Sequence, residues 1–391
     1  MNRLLRSLCL LIGAMLLSVN VAASQDLPPL EILRAIAAKL PHRPQTRGTT
    51  FERSGTGAVD PVCRMQHFTM TLATGSAASR SLPVLLDHMP AAEDTPVTLM
   101  AVLHRLTVDA DGSPRTYHPD DPHGKGTCAS DAGPDGTLRY RGVCALDGFA
   151  SAHLLVFHGT QKLAKGEFET PWQGIWPLIR AKTLKPIDLK QFVPTAPAGF
   201  YFFYWKERNL SAFFKREIIA QAPDGYPCRS DDGYFIAATT LKEDGAACAS
   251  SRFMDAEKRP FLVLPDDAFG NARVGDLVVG RLAGAAAERV VFGVVGDTGP
   301  IAQFGEASIA FNRALLGSSA PIMNERDVDA LDISGGPVTL LVLGGTGALL
   351  RGDYSRHNVE RVGRAEFARW SGAPSRPMRR LDACIREFGA K

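Results

Sequence analysis

The chain has 391 residues, 45% of them hydrophobic, and a formal net charge of +3 at pH 7. This nearly neutral balance excludes the strongly basic domain that nucleic-acid binding requires. The length permits one large domain or two smaller ones, and the hydrophobic content is enough for an ordinary globular core.

The first residues predict export. Arg3 and Arg6 precede an apolar run over residues 8–19, and Val21-Ala22-Ala23 supplies the small residues of a cleavage site. The run is short for a bilayer span, so residues 1–23 are interpreted as a cleaved signal peptide rather than as an uncleaved anchor. We therefore expect a secreted or periplasmic protein without a membrane span, with a formal charge of about +1 after two arginines are removed.

Six cysteines follow the signal segment: Cys63, Cys128, Cys144, Cys228, Cys248 and Cys384. An even number in an exported chain indicates disulfides, and six cysteines allow fifteen pairings. Proximity in sequence favours the pairs 128–144 and 228–248, which leaves 63 with 384. Zinc is the competing interpretation, but there is no CxxC pair and no histidine at ligand spacing, so no metal site is expected.

Residues 24–96 are interpreted as an N-terminal extension, in which residues 27–40 have the apolar spacing of a short helix ending before Pro41. The predicted catalytic domain covers residues 97–391. Its first strand is expected over residues 97–106, before the turn-rich segment 109–114. The later predicted strands are 152–157, 234–241, 260–264, 276–282, 289–295 and 337–343, and the predicted helices are 307–316, 359–370 and 378–388. Many short strands with few helices favour an α+β fold, with a β-rich, barrel-like core and peripheral helices.

Residues from about 146 to 220 differ from the rest in composition and are interpreted as an inserted, aromatic-rich segment. Its aromatic residues are Trp172, Trp176, the run at 200–205, Phe213 and Phe214. Such a cluster is more often packing core than a stacking platform for sugar rings, and the sequence leaves both interpretations open.

The segment that indicates chemistry lies between residues 289 and 310. A β-branched stretch leads to Asp297, and a loop with Gly299, Pro300 and Gly305 returns the chain to Glu306. Glycosidic hydrolysis uses such a pair, in which one carboxylic acid protonates the leaving oxygen and one carboxylate activates water or attacks the sugar. Spacing alone is weak support, because acidic residues that flank a loop are usually solvated.

The residues around this pair resemble glycoside hydrolase family 75, the fungal-type chitosanases and their bacterial relatives. GDT at 296–298 followed by GEASI at 305–309 resembles the hallmark of that family. Three further segments resemble it in the expected order: VDADGSPRTYHP at 108–119, GYFIAATTL at 233–241, and FMDA at 253–256 with PFLVLP at 260–265. Together they cover roughly residues 97–371 outside the aromatic-rich segment, which looks like an insertion relative to those relatives.

The resemblance implies endo-hydrolysis of β-1,4 bonds in chitosan or a related amino-sugar polymer, with inversion at the anomeric carbon and no cofactor. Glu306 is then assigned as general acid and Asp297 as general base. The roles could be exchanged, because a Glu306 at the start of the helix 307–316 would be stabilised in its charged form by the helix dipole.

A polycationic substrate requires an acidic groove. The candidate substrate-binding residues in the matched segments are Asp109, Asp111, Asp255, Tyr234 and His118. Asp231 and Asp232 are further acidic candidates, although paired aspartates are commonly turn formers. Because the chain as a whole is not acidic, peptidoglycan remains an alternative substrate.

Two other functions stay open at this point. A non-catalytic carbohydrate-binding protein would keep the scaffold without a working acid and base. A cysteine acyl-transferase is suggested by His158-Gly159-Thr160 and by Cys384, which resemble separated fragments of the L,D-transpeptidase signature. That function needs a free thiol at residue 384.

Overall fold

The computed structural model describes residues 49–54, 60–72, 80–89, 95–121, 124–126, 128–133, 138–148, 155–158, 161–162, 200–203, 219–220, 222, 228–265, 272–284, 289–299 and 304–389. The chain divides into two compact units, residues 1–41 with 154–204 and residues 42–153 with 205–391. The predicted signal peptide, the predicted helix 27–40 and most of the aromatic-rich segment lie outside the described residues.

The strands are, in chain order, β1 (Thr49–Arg53), β2 (Gln66–Leu72), β3 (Arg80–Leu86), β4 (Thr98–Leu103), β5 (Thr107–Asp109), β6 (Ala129–Ala132), β7 (Leu138–Arg141), β8 (Leu155–His158), β9 (Gln161–Lys162), β10 (Phe200–Phe203), β11 (Phe261–Pro265), β12 (Leu277–Leu282), β13 (Val291–Gly299), β14 (Glu306–Ser308) and β15 (Val338–Leu343). The helices are α1 (Ile309–Leu316), α2 (Glu325–Asp329), α3 (Arg356–Ser371) and α4 (Pro377–Gly389), with 3₁₀ turns at Ser250–Arg252 and Gly347–Leu350.

The larger unit is built on a ten-stranded mixed sheet with the order β1-β2-β3-β4-β15-β12-β13-β11-β14-β5. The pairs β11–β13 and β14–β5 are parallel, and the other pairs are antiparallel. Strands β6 and β7 form a separate hairpin. The described strands of the smaller unit, β8 to β10, form an antiparallel sheet with β8 in the middle.

The central strands are covered on both faces, which explains their continuous apolar sequences. All residues of β11 and β15 are buried, as expected for strands that pack on both sides. Phe261 and Val263 face the core that α3 and α4 cover. Leu262 and Leu264 face the opposite core, which α1 covers with Phe311.

The prediction of an α+β fold is confirmed, but its barrel-like closure is not found. The sheet of the described residues is open, with β1 and β5 as its edge strands. Strands predicted near β4, β8, β11, β12, β13 and β15 are present, as are the helices near α1, α3 and α4. The segment 234–241 makes only isolated bridges, through Phe235 and Ala237, instead of the predicted strand. The predicted boundary between residues 96 and 97 separates β3 from β4, which are hydrogen-bonded neighbours in the sheet.

The three expected cysteine pairs are confirmed as disulfides, at Cys63–Cys384, Cys128–Cys144 and Cys228–Cys248. They fit an extracellular or periplasmic protein. Cys384 is fully buried within its disulfide, so it is not the free nucleophile that an acyl-transferase needs. Within the described parts of the chain, no helix has both the length and the apolar character to cross a membrane.

Candidate functional site

Asp297 and Glu306 are brought to the same face of the sheet by the strand between them. Val263 of β11 pairs with Asp297 of β13 on one side and with Glu306 of β14 on the other. Residues directly paired across neighbouring strands point to the same face. Two strand spacings separate the backbones of the two acids by about 9.5 Å.

The Glu306 side chain reaches back toward β13. Its Oε2 atom lies 3.4 Å from the position that a Cβ atom would take at Gly299. Gly299 is two residues beyond Asp297 and therefore on the same face of β13, about 7 Å along the strand. The Glu306 carboxylate therefore lies on the face that carries Asp297, further along β13.

A β-bulge at Gly296 sets the direction of Asp297. The register shifts between Leu262, which pairs with Val295, and Val263, which pairs with Asp297. A Cβ atom at Gly296 would lie 2.5 Å from the Cβ of Phe261, so a larger residue does not fit there. The bulge skips one position and turns the aspartate onto the face of Val263, a common use of bulges beside functional sites.

Asp297 is fully buried, yet hydroxyl groups connect it to the surface. Its Oδ1 atom accepts hydrogen bonds from the Thr240 backbone N–H at 2.9 Å, the Thr240 hydroxyl at 2.7 Å and the Thr298 N–H at 2.7 Å. The two threonine hydroxyls are 2.8 Å apart. Because the hydroxyl hydrogen of Thr240 goes to Asp297, Thr298 must donate to Thr240. Thr240 is exposed, so this chain of hydroxyls runs from the buried carboxylate to the surface.

Two of the predicted substrate-binding aspartates meet Asp297. One carboxylate oxygen from each of Asp109, Asp111 and Asp297 lies within 4.8 Å of the others. Asp109 ends β5, and its Oδ1 accepts from the Asp111 N–H at 2.8 Å, which holds the turn between them. Three ionised carboxylates this close repel one another, so the group is suited to binding a positively charged group.

Gly112 allows this turn to approach the rest of the site. Its φ is +85°, a left-handed conformation that glycine adopts without strain. A Cβ at this position would lie 1.9 Å from the carbonyl oxygen of Met254. The turn that carries Asp109 and Asp111 is therefore packed directly against the segment 253–256.

Oxygen ligands of this kind are those that Mg²⁺ and Ca²⁺ prefer, but each ion needs six or more. The three aspartates offer half of the ligands of such a shell, and water molecules would have to supply the other half. The sequence predicted Asp109 and Asp111 as substrate-binding residues, Asp297 as a catalytic residue, and no metal. Three carboxylate oxygens within 4.8 Å of one another can surround a positively charged group, such as the ammonium group of an amino sugar.

Behind Asp111 lies a buried tyrosine that the sequence did not single out. The Tyr117 hydroxyl donates to Asp111 Oδ1 at 2.6 Å and lies 3.4 Å from Asp147 Oδ2. Burial, reinforced by the charges of these two acids, raises the pKa of Tyr117 well above its usual value. Burial also raises the pKa of Asp147, although the Gly148 N–H and the neighbouring Tyr117 hydroxyl act in the opposite direction.

Further acids extend this negative region. Asp332 Oδ1 accepts from the Val108 N–H at 2.9 Å, beside Asp109 in β5. Asp329 lies in electrostatic range of both Asp147 and Asp332, and Arg105 offsets part of the charge through a 3.3 Å contact with Asp332. The acidic region comprises Asp109, Asp111, Asp297, Glu306, Asp329 and Asp332.

Glu306 does not open the helix. It lies in β14, and the N-cap of α1 is Ser308, whose hydroxyl oxygen accepts from the Phe311 N–H. The effect of a helix dipole falls off beyond the first turn. Glu306 lies outside that turn, so the helix dipole gives no reason to exchange the two roles.

The other three predicted substrate-binding residues make internal contacts. Asp255 Oδ1 accepts from the Glu257 N–H, and its Oδ2 lies 2.8 Å from Lys258 Nζ, within a single turn. The buried Tyr234 hydroxyl accepts from the Cys144 N–H at 2.7 Å. His118 is buried with an edge-on contact to Tyr234, and burial lowers its pKa. Asp231 and Asp232 are exposed in a turn.

Sequence reasoning missed Thr240, Thr298, Tyr117 and Asp147. The first three lie within or beside the segments that resembled the hydrolase family, so the resemblance already marked their neighbourhood. Asp147 fell just inside the predicted insertion, and nothing in the sequence connects it with Tyr117.

Comparison with protein-family models finds no family that matches this chain. A search of curated proteins also finds no significant match.

Proposed function

We propose that the protein is an exported hydrolase that cleaves β-1,4 glycosidic bonds in an amino-sugar polymer of the chitosan type, by inversion. The observation that carries this proposal is the alignment of Asp297 and Glu306 on one face across β11, beside the carboxylates of Asp109 and Asp111. The family resemblance of the sequence supports the same reaction and the same pair.

The two acids suit different steps. Glu306 is half-buried and lies outside the helix, so it can meet the substrate and protonate the glycosidic oxygen as the bond to the anomeric carbon breaks. Water attacks the anomeric carbon from the opposite side. Hydrogen-bond donors directed at Asp297 Oδ1 complement its negative charge, which fits the base.

The hydroxyl chain supplies a path for the water proton. The attacking water gives a proton to Thr298, Thr298 passes one to Thr240, and Thr240 passes one to Asp297. Each hydroxyl gains and loses one proton, so the threonines end unchanged. Glu306 loses a proton and Asp297 gains one, and exchange with solvent restores both.

The acidic region favours a cationic substrate. Glucosamine units carry ammonium groups, and a group of carboxylates raises the local concentration of such a polymer. The same charge disfavours nucleic acids and phosphorylated sugars. The mature chain is close to neutral, so this local concentration of acids is a property of the site and not of the whole surface.

A second candidate is sugar binding without turnover, and the complete burial of Asp297 favours it. In that function the acidic groups would hold the amino sugar, and the hydroxyl chain would be only structural. Substitution of Glu306 would then leave binding unchanged.

The test is mass spectrometry of soluble products after incubation with chitosan and, separately, with peptidoglycan. Wild-type protein, Asp297→Asn and Glu306→Gln are compared after their folding has been matched by thermal unfolding. Glucosamine oligomers from the wild type alone support the proposal. If products form from peptidoglycan alone, peptidoglycan replaces chitosan as the proposed substrate. If the proteins bind chitosan but none of them forms products, the second candidate is favoured.

A further inference from the structure

Tyr117 is placed unusually for a buried tyrosine. It is 1% exposed, and its carbonyl accepts from the Phe235 N–H at 2.9 Å, which fixes its backbone. Its hydroxyl lies within hydrogen-bonding distance of two carboxyl groups, those of Asp111 and Asp147. Because burial raises the pKa of Tyr117 well above its usual value, the hydroxyl keeps its proton at neutral pH and remains a donor.

The 2.6 Å contact of this hydroxyl with Asp111 Oδ1 is a short, charge-assisted hydrogen bond. The Asp111 backbone is held in turn by Asp109 Oδ1. Asp111 is therefore fixed through its main chain and through its carboxylate, with an oxygen within 4.8 Å of Asp297.

The far side of Tyr117 is also fixed. Asp147 lies on a segment whose N–H groups at Leu146 and Asp147 donate to the Thr116 carbonyl, one residue before the tyrosine. The same segment is closed by the Cys128–Cys144 disulfide. Asp147 has a raised pKa because of burial, and its Oδ1 accepts from the Gly148 N–H, so a proton on this carboxyl group would lie on Oδ2, facing the tyrosine hydroxyl.

We propose that Tyr117 is a positioning residue of the acidic site: its hydroxyl, held between Asp147 and Asp111, fixes the Asp111 carboxylate beside Asp297. This inference rests on the proposed function for its kinetic consequence, but the placement of Asp111 is independent of turnover. Tyr117 is buried behind Asp111, so it acts through that aspartate and does not touch the substrate.

The first variant is Tyr117→Phe, which removes one oxygen and keeps the ring. We expect kcat for the amino-sugar polymer to fall roughly 10- to 100-fold, because a small misplacement of a catalytic or binding group has effects of this size. KM is expected to change much less. The matched control is Tyr354→Phe, the same change at a half-buried tyrosine packed beside Gly275, for which we expect wild-type kinetics.

A second pair of variants covers the case in which Tyr117→Phe does not fold. Asp147→Asn reproduces the hydrogen bonds of a protonated carboxyl group and should keep kcat close to the wild-type value. Asp147→Ala leaves the hydroxyl without its second neighbour and should lower kcat. Wild-type kcat in both Asp147→Ala and Tyr117→Phe would overturn the inference.

Crystal structures of Tyr117→Phe and Tyr354→Phe separate this inference from the proposed function. The inference predicts that the Asp111 carboxylate moves by about 1 Å or more relative to Asp297 in the first variant only. An unmoved Asp111 in Tyr117→Phe would overturn the positioning role even in an active enzyme. A moved Asp111 in a wild-type protein that forms no product would support the positioning and reject the hydrolase.

Discussion

Thr240 is the residue on which access to the buried Asp297 depends. It gives two hydrogen bonds to Asp297 Oδ1, one from its backbone and one from its hydroxyl, and it is itself exposed. A backbone donor orients the carboxylate whatever the side chain is. The hydroxyl alone can exchange protons with Thr298, so the side chain and the main chain of this residue have separable roles.

Thr240→Val should therefore lower kcat about 10- to 100-fold, the equivalent of one hydrogen bond to a charged group. The backbone N–H groups of Thr240 and Thr298 still donate to Asp297 in this variant, so the protein should remain folded, which thermal unfolding checks. Steady-state kinetics on chitosan oligomers measures the effect.

Thr240→Ser is the control, since it keeps the hydroxyl and should stay within about threefold of the wild type. Equal rates for the valine variant, the serine variant and the wild type would remove the hydroxyl chain from the mechanism.

At the scale of the elements, the site depends on how α1 and β13 pack. Phe311 of α1 lies over Gly280 and Gly293, where Cβ atoms would approach its ring to 2.5 Å and 3.1 Å. The two glycines let the helix sit close to the sheet, and α1 follows directly after β14 with Glu306. Overpacking at this contact would therefore shift the strand that carries one of the two acids.

Gly280→Ala is expected to cost about 1–3 kcal/mol of unfolding free energy, because the added methyl group clashes with a buried ring. Urea denaturation of the folded protein measures it. Gly335→Ala is the matched control, since nothing lies within 4 Å of its Cβ position, and its cost should stay below about 0.5 kcal/mol. Equal stability of the two variants would contradict the packing described for α1.

The sequence predicted the elements whose signals are local. The central strands have long β-branched runs because both of their faces are buried, and the last two helices have clear apolar spacing. Strands β5 and β14 have three residues each and owe their pairing to neighbours distant in the chain, so no local pattern marks them. The segment 234–241 has an apolar sequence that suits its buried position. It has no continuous partner strand, however, and therefore does not form the predicted strand.

The candidate site was predictable to the extent that it followed a family resemblance. Asp297 and Glu306 were first named from the strand and loop that carry them, and the resemblance strengthened that choice and added Asp109 and Asp111. These four acids come together because of the register of β11 with its neighbours and a one-residue bulge. The spacing of the residues in the sequence shows neither feature. The contact of Tyr117 with Asp147 joins residues 30 positions apart, and only the folded chain brings them together.

For the whole molecule, the Cys63–Cys384 disulfide joins two ends of the larger unit across 321 positions of sequence. It connects the segment before β2 with α4, which packs on the sheet face opposite α1. A crosslink over so long a loop restricts the unfolded chain strongly.

Replacing both of these cysteines by serine should lower the unfolding free energy by about 2–5 kcal/mol. Guanidinium denaturation under non-reducing conditions measures the loss. Because the disulfide lies outside the acidic region, activity below the unfolding transition should be retained. An unchanged denaturation midpoint would contradict the stabilising role of this disulfide. A loss of activity without a loss of stability would show that the disulfide is not separate from the acidic site.

The central claim is a two-carboxylate hydrolase that inverts the anomeric carbon. The most direct measurement is proton NMR of chitosan during the first minutes of hydrolysis, before the new reducing ends equilibrate. We expect the α anomer to appear first from the β-linked polymer, and we expect Asp297→Asn and Glu306→Gln to release neither anomer. Release of the β anomer first, or an unchanged rate in either variant, would contradict it.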